Sequence, residues 1–300
     1  MVALWWALWV AWIPLRWVGT DSLKTPESLA LSPSGTLWVR WHGDSVYLGH
    51  NSTEDLFLVA PDPPLLGAAV SDSGLVLLVR RDTGTATLLE AWSPQGRRQW
   101  RLRVPPLIGL HVSQDSRWLL AGTPQGIWKI AADRGTVEGR YPLAPVYQAR
   151  GPYVALAEGF RVSLYRDTVL LWQIPLGTNR VRALYFTPTP GFLLLYTAQQ
   201  MILLDSTGRV LRNEPLPGEY QAGFPGPAGP VVSWKDREVV GIFWWNPEEH
   251  RFERLLQLQP YWIGQKIRLT ALGARGDTLW MLHNAKLVRF AVRWPDHAGP

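Results

Sequence analysis

The run LIGLHVSQDSRWLLAGTPQGIWKIAADRGTVEGRYPL, Leu107 to Leu143, decides how the rest of the chain is read. Its four apolar stretches, Ile108 to Val112, Trp118 to Gly122, Ile127 to Ala131 and Val137 to Pro142, each have about the length of an ordinary strand. The groups between them, SQDS, TPQG and ADRG, are rich in residues that favour tight turns. Short strands alternating with such turns, and no helical period anywhere in the run, predict a four-stranded antiparallel meander.

Six further stretches can be laid over this one. Their first strands begin near Ser28, Gly67, Val146, Val181, Tyr220 and Ile267, so successive copies lie about 35 to 47 residues apart, the spacing of a repeat architecture. The turns after the first strands read SPSG, SDSG, SQDS, RGP, TPTPG, PGPAG and GARGD, alike in kind though not in identity. The second strands, among them LVLLVR, WLLAGT, YVALAE and FLLLYT, are almost continuously apolar, as strands covered on both faces are. The fourth strands, such as RRQWRLRV and RFERLLQL, are more polar, which suits an exposed outer edge.

The expected fold is therefore all-β: a seven-bladed β-propeller of four-stranded antiparallel blades. SPSGTLWV, GTPQGIWKI and DSTGRVLRNEPL resemble blades of the WD40, quinoprotein-type and two-component-regulator propeller superfamilies, and the likeness runs over nearly all of residues 28 to 294. The chain lacks the Gly-His and Trp-Asp dipeptides of true WD40 repeats, and the eight blades and adjacent cysteines of quinoprotein dehydrogenases. The resemblance thus implies a fold and not an activity. Blade seven supplies three strands, Ile267 to Leu272, Thr278 to Leu282 and Lys286 to Val292; residues 16–24 are expected to close it as the fourth. One propeller domain would then occupy residues 16–300.

Residues 1–15, MVALWWALWVAWIPL, carry no charge and are followed by Arg16. As a helix they would span about 22 Å, short of the roughly 30 Å hydrocarbon core of a bilayer. That length suits a signal segment, while Trp5, Trp6, Trp9 and Trp12 favour a membrane interface and an uncleaved anchor. Either reading places the domain outside the cytoplasm, secreted or membrane-anchored.

Composition narrows the chemistry. The net charge of +6 is spread over isolated or paired arginines without a basic run, so nucleic acid is not the expected partner. The absence of cysteine excludes a disulfide framework, a thiolate metal site and a cysteine nucleophile together. No local catalytic motif is present, and the six histidines are scattered, so neither catalytic residues nor a metal or cofactor are expected.

The first strands, which line the channel of a propeller, carry His111, Gln148, Arg182, Gln221 and Arg268 and, as read from the sequence, no carboxylate. That argues against a lactonase-like propeller, whose hard cation needs oxygen ligands, and makes Arg182 and Arg268 candidates for an anion. The turns between second and third strands form another polar ring with His42, Asp44, Arg81, Asp82, Glu158, Arg237 and His283, to which an inter-blade loop adds Tyr261 and Trp262. Loops on a rigid scaffold are where binding usually resides, and Tyr, Trp and Arg are favoured anchors. The sequence therefore predicts a monomeric, non-catalytic interaction platform or sensor-like module that takes a protein or polymeric ligand on this loop face. The alternatives are a hydrolase or lactonase assembled from residues distant in sequence, and a channel that binds an anionic ligand.

Overall fold

The structure, a computed structural model, describes residues 15–22, 28–33, 37–42, 45–50, 53–59, 65–82, 86–177, 180–187, 193–197, 200–216, 218–224, 230–236, 239–246, 249, 251–258, 269–275, 278–283 and 286–292. Among them 28 strands form seven four-stranded antiparallel sheets, and there is no helix. Sheet one holds β2 (Ser28–Leu31), β3 (Leu37–His42), β4 (Ser45–His50) and β5 (Thr53–Val59). Sheet two holds β6 (Leu65–Val70), β7 (Val76–Arg81), β8 (Thr87–Trp92) and β9 (Arg98–Val104). Sheet three, the stretch quoted at the outset, holds β10 (Gly109–Val112), β11 (Trp118–Thr123), β12 (Gly126–Ala131) and β13 (Val137–Tyr141). Sheet four follows with β14 (Val146–Arg150), β15 (Tyr153–Glu158), β16 (Arg161–Arg166) and β17 (Val169–Pro175). Sheet five has β18 (Val181–Phe186), β19 (Leu193–Thr197), β20 (Gln200–Leu204) and β21 (Val210–Pro215); sheet six has β22 (Glu219–Phe224), β23 (Val231–Asp236), β24 (Val239–Asn246) and β25 (Arg251–Leu258).

Sheet seven is the one sheet that is not consecutive in sequence. It runs β26 (Leu269–Arg275), β27 (Thr278–His283), β28 (Lys286–Val292) and then β1 (Leu15–Ser22), whose pairing extends from Leu15 opposite Val292 to Ser22 opposite Lys286. The fourth strand expected at 16–24 is therefore present, shifted so that Leu15 belongs to it. The remainder of the predicted apolar helix, residues 1–14, lies outside the described residues, as do Leu23 and Lys24.

A β-bulge recurs where the third strand pairs with the fourth. One extra residue is inserted in the fourth strand of each sheet: Phe57, Gln99, Glu138, Leu171, Leu211 and Leu255 in sheets one to six, and Val18 of β1 in sheet seven. A bulge sharpens twist and spoils an open edge for further pairing. That β1 carries it marks this strand as equivalent to the other six.

Alternation along the second strands explains why they read as continuous apolar runs. In β7, Val76 and Leu78 enter a core shared with Val39 and Val46 of sheet one, whereas Leu77 and Val79 enter a core shared with Leu119 and Ile130 of sheet three. In β15, Val154 and Leu156 join Leu120 and Ile127 of sheet three, while Ala155 and Ala157 join Leu193 and Leu195 of sheet five. Sheets two to five are thus sandwiched, and both side-chain sets of their inner strands leave water. The first strands of neighbouring sheets also meet, β2 with β6, β6 with β10, β14 with β18 and β22 with β26.

The fourth strands are fastened to the next sheet by a repeated device. Trp100 of β9 donates from Nε1 to Ala132 O (2.8 Å), Tyr141 of β13 donates its hydroxyl to Asp167 O, and Trp172 of β17 donates from Nε1 to Ser206 O (2.8 Å). Each acceptor sits in the turn between the third and fourth strands of the following sheet. Two of those turns need glycine, since Gly135 and Gly208 have φ of +68° and +86°, and a Cβ there would lie 2.6 Å from Trp100 and 2.9 Å from Trp172.

Candidate functional site

An antiparallel meander sends its first and third turns to one face and its second turn, with the loop to the next sheet, to the other. Of the predicted loop residues, those that are described lie on the second-turn face. His42 ends β3 opposite Ser45, Arg81 ends β7 opposite Thr87, Glu158 ends β15 opposite Arg161, and His283 ends β27 opposite Lys286. Arg81 and Glu158 are exposed, and Asp82 accepts Arg103 Nε at 2.8 Å in an ion pair at the rim. Asp44, Arg237, Tyr261 and Trp262 lie outside the described residues. Those that are described sit at strand ends of four different sheets, and among the described residues no three His, Asp or Glu side chains are grouped so as to hold a metal ion.

The first strands give a mixed answer. Arg182 is the extra residue of a bulge in β18 and is exposed, as an anion-binding group must be. Arg268 lies outside the described residues. Gln148 spends its Oε1 on Ala149 N (2.9 Å), and Gln221 reaches only the Glu219 and Tyr220 carbonyls, at 3.5 Å. His111 is open to solvent yet flanked by protein, edge-on to Tyr147 at 4.9 Å; this enclosure pulls its pKa below the ordinary histidine value. The expectation of first strands free of carboxylates is corrected by β22, which begins at the exposed Glu219, one residue before the start read from the sequence.

The opposite face, formed by first and third turns, holds what the sequence did not reveal. A cleft of about 640 Å³ lies between sheets two and three, with Ser73, Ser93, Gln99, Ser116, Arg117 and Arg134 in its walls. A second, of about 410 Å³, lies between sheets four and five against Asp115, Arg117, Arg150, Tyr153 and Thr187. Arg117 lines both. Its backbone N–H donates to Asp115 Oδ1 (3.2 Å), but among the described residues its guanidinium has no hydrogen-bond or ion-pair partner. Arg134, by contrast, is held by Glu138 at 3.0 Å and Asp133 at 3.7 Å.

The turn that presents Arg117, residues 113–116, is a hub. Ser116 Oγ donates to Asp72 Oδ2 (3.1 Å) and accepts from Asp72 N (3.0 Å), which ties sheet three to sheet two. Asp115 Oδ2 accepts Gly151 N (2.6 Å) and Gln114 N donates to Ala149 O (2.9 Å), which ties it to sheet four. The Gln114 amide then reaches sheet five, donating to Phe186 O (2.5 Å) and accepting from Phe186 N (2.9 Å). Arg150 adds a bond to Thr187 O. Below the hub, Lys129 Nζ donates to Gly151 O (3.1 Å) and lies 4.1 Å over the Trp118 ring; burial lowers its pKa, an effect opposed by Asp167, Asp115 and Glu138. The Asp115 carboxylate accepts from Ser113 Oγ, Arg117 N and Gly151 N and makes no ion pair with the Arg117 guanidinium. The hub holds the backbone that carries this exposed positive donor between two clefts.

Comparison with known proteins agrees with the fold and stops there. No protein-family pattern matches the sequence, and no curated protein matches it. Among solved structures, BamB from Moraxella catarrhalis is similar with a TM-score of 0.56 and 14% identity over 93% of this chain and 98% of that one. A chain of a mitotic checkpoint complex gives 0.65 at 12% identity over 92% and 94%. KlHsv2 with its loop 6CD replaced by a Gly-Ser linker gives 0.67 at 10% identity over 94% and 95%. The chain therefore shares its overall fold, a β-propeller-like assembly of four-stranded sheets, with these structures, and the likeness extends to the fold alone.

Proposed function

We propose that the chain is a seven-bladed propeller, closed by β1, that serves as a non-catalytic platform for a protein or polymeric ligand bearing carboxylates, held outside the cytoplasm by residues 1–14. The observation that carries the binding role is the pair of clefts meeting at Arg117. A guanidinium that has no partner among the described residues, presented on a turn bonded to three other sheets, offers a carboxylate a bidentate donor on a backbone that is already held. Dispersal of the other titratable groups over separate strand ends favours recognition over hydrolysis. One structural neighbour comes from a named protein complex, which is in keeping with a scaffold.

The test uses the full chain and a fluorescent oligoglutamate as probe. Arg117→Ala is expected to weaken its binding about tenfold or more, the worth of one charge-assisted hydrogen bond. Trp262→Ala, in the loop face expected from the sequence, is expected to leave it unchanged; the reverse pattern would move the site to that loop face. A second reading, an anion held at Arg182, is favoured by that residue's exposed position at a bulge. It predicts that Arg182→Ala, and not Arg117→Ala, removes the salt-sensitive part of the affinity.

A further inference from the structure

Six of the seven fourth strands carry charge along the outer edge of their sheet. They read TEDLFLV (β5), RQWRLRV (β9), VEGRY (β13), VLRNEP (β21), RFERLLQL (β25) and LRWVGTDS (β1). The seventh, β17, reads VLLWQIP and has no charged residue at all. Charge on an edge strand is a standard protection against pairing with another strand; β17 lacks it and keeps only the bulge, at Leu171, that all seven fourth strands share. It is also apolar where it meets water, with Val169 64%, Leu170 48% and Leu171 45% exposed. Among the described residues no strand lies on its outer side.

The strand is held rigidly from behind. Trp172 is bonded to Ser206 O, Gln173 Nε2 donates to Ser163 Oγ (3.0 Å), and Ile174 packs on the core between sheets four and five. An open edge of this kind selects an extended occupant, because only a strand can use the free backbone donors and acceptors. An uncharged edge selects an uncharged occupant. Among the uncharged stretches of this sequence are residues 1–14 and β17 itself, and β17 is the fourth strand of its sheet with one side open. A second β17 is already ordered as a strand, whereas any other segment must be ordered on binding. Two-fold pairing also gives each edge the same partner surface it offers.

We propose that β17 is a self-association edge, pairing antiparallel with β17 of a second copy of the chain. The pairing lies within Val169 to Ile174, with the two-fold axis at one of these residues and the Leu171 bulge accommodated beside it, and ends before Pro175, which has no N–H to donate. This replaces the monomer expected from sequence, and it stands apart from the ligand site proposed at Arg117.

The absence of cysteine makes the test clean, since single cysteines can be placed at Val169, Leu170, Leu171 and Gln173 in the full chain, with Leu211→Cys on β21 as control. Cα atoms of directly opposed antiparallel residues lie about 4.5–5.5 Å apart, within disulfide range. Oxidation in mild detergent is expected to give covalent dimer at one β17 position in highest yield, falling on either side, and none for Leu211→Cys. In sedimentation, Leu170→Lys is expected to weaken the dimer at least about tenfold by placing two like charges across the axis, and Leu211→Lys to leave it intact. Dimer yields at β17 no higher than at Leu211, or a monomer at all concentrations, would overturn the proposal. So would a dimer that survives Leu170→Lys but is lost with Trp9→Asp, which would assign the occupant to residues 1–14.

Discussion

Glu90 on β8 tests how sheet two is held, because one carboxylate there serves groups of very different exposure. Its Oε2 accepts Arg80 Nε at 3.1 Å and Trp92 Nε1 at 3.3 Å, while Oε1 accepts Arg98 Nη1 at 3.3 Å and lies 3.7 Å from Arg101 Nε. The Arg80 side chain is 2% exposed, but Arg98 and Arg101 are 49% and 51% exposed. Glu90→Ala should therefore cost about 3–5 kcal/mol, nearly all of it from leaving the Arg80 guanidinium buried without its carboxylate. Arg98→Ala and Arg101→Ala should each cost under about 1 kcal/mol, because water takes over as donor. The double variant Arg80→Met, Glu90→Leu should recover most of the loss, since apolar side chains of similar volume need no partner. Urea unfolding followed by tryptophan fluorescence measures all four, with m-values checked for constancy. Equal costs for Glu90→Ala and Arg98→Ala, or a double variant no better than Glu90→Ala, would refute the assignment of the cost to Arg80.

Two further outcomes follow from the strand order and the buried phenols. Removal of residues 1–14 should leave the melting temperature unchanged, whereas removal of residues 1–25 should lower it, because β28 loses the strand paired from Leu15 to Ser22; equal melting temperatures would discard closure by β1. In alkaline titration, burial holds Tyr141, Tyr147 and Tyr220 at about 12, and Tyr185 and Tyr196 are raised well above the ordinary value. A folded pKa above the unfolded one means that the stability is fully present below about pH 10 and is lost as pH rises through 12. Tyrosinate absorbance that rises late and together with unfolding is the expected signature.

The repeat was legible because each sheet buries both faces of its inner strands, which writes an apolar run between turn residues about every forty positions. Strands expected at Trp118 to Gly122 and Ile127 to Ala131 are observed at Trp118–Thr123 and Gly126–Ala131, and the closing strand differs from its expected range by one residue at the start. Polar convergence was not legible. Gln114 and Phe186 are 72 residues apart and look like an ordinary turn residue and a strand end, yet they exchange two hydrogen bonds. Choice of the loop face rested on residue type at the second turns; the clefts lie at the first and third turns, where Arg117, Arg134 and Arg150 stand singly among serines and other turn residues and give no sign in the sequence that they share a cleft. Trp100 and Trp172 were legible as aromatic bulk but not as donors to a carbonyl one sheet away.

The hub, the fastened fourth strands and the bare edge all fall in sheets two to five, and this coincidence has a physical reading. Successive sheets in this sector are joined twice, near the axis by the turn at 113–116 and at the outer strands by Trp100, Tyr141 and Trp172. Sheets five and six meet differently, through Tyr185, Tyr196 and Tyr220, with Tyr196 stacked on Tyr220 at 5.5 Å and the Tyr185 and Tyr220 hydroxyls 2.8 Å apart. Joints bonded at both inner and outer ends resist the shear that would open one cleft at the expense of the other. A ligand bridging the clefts at Arg117 then loses little on ordering the protein, and an edge such as β17, fixed by the same joints, meets its partner already extended. Weakening an outer joint is accordingly expected to lower both affinities, although neither Trp100 nor Trp172 need touch the ligand.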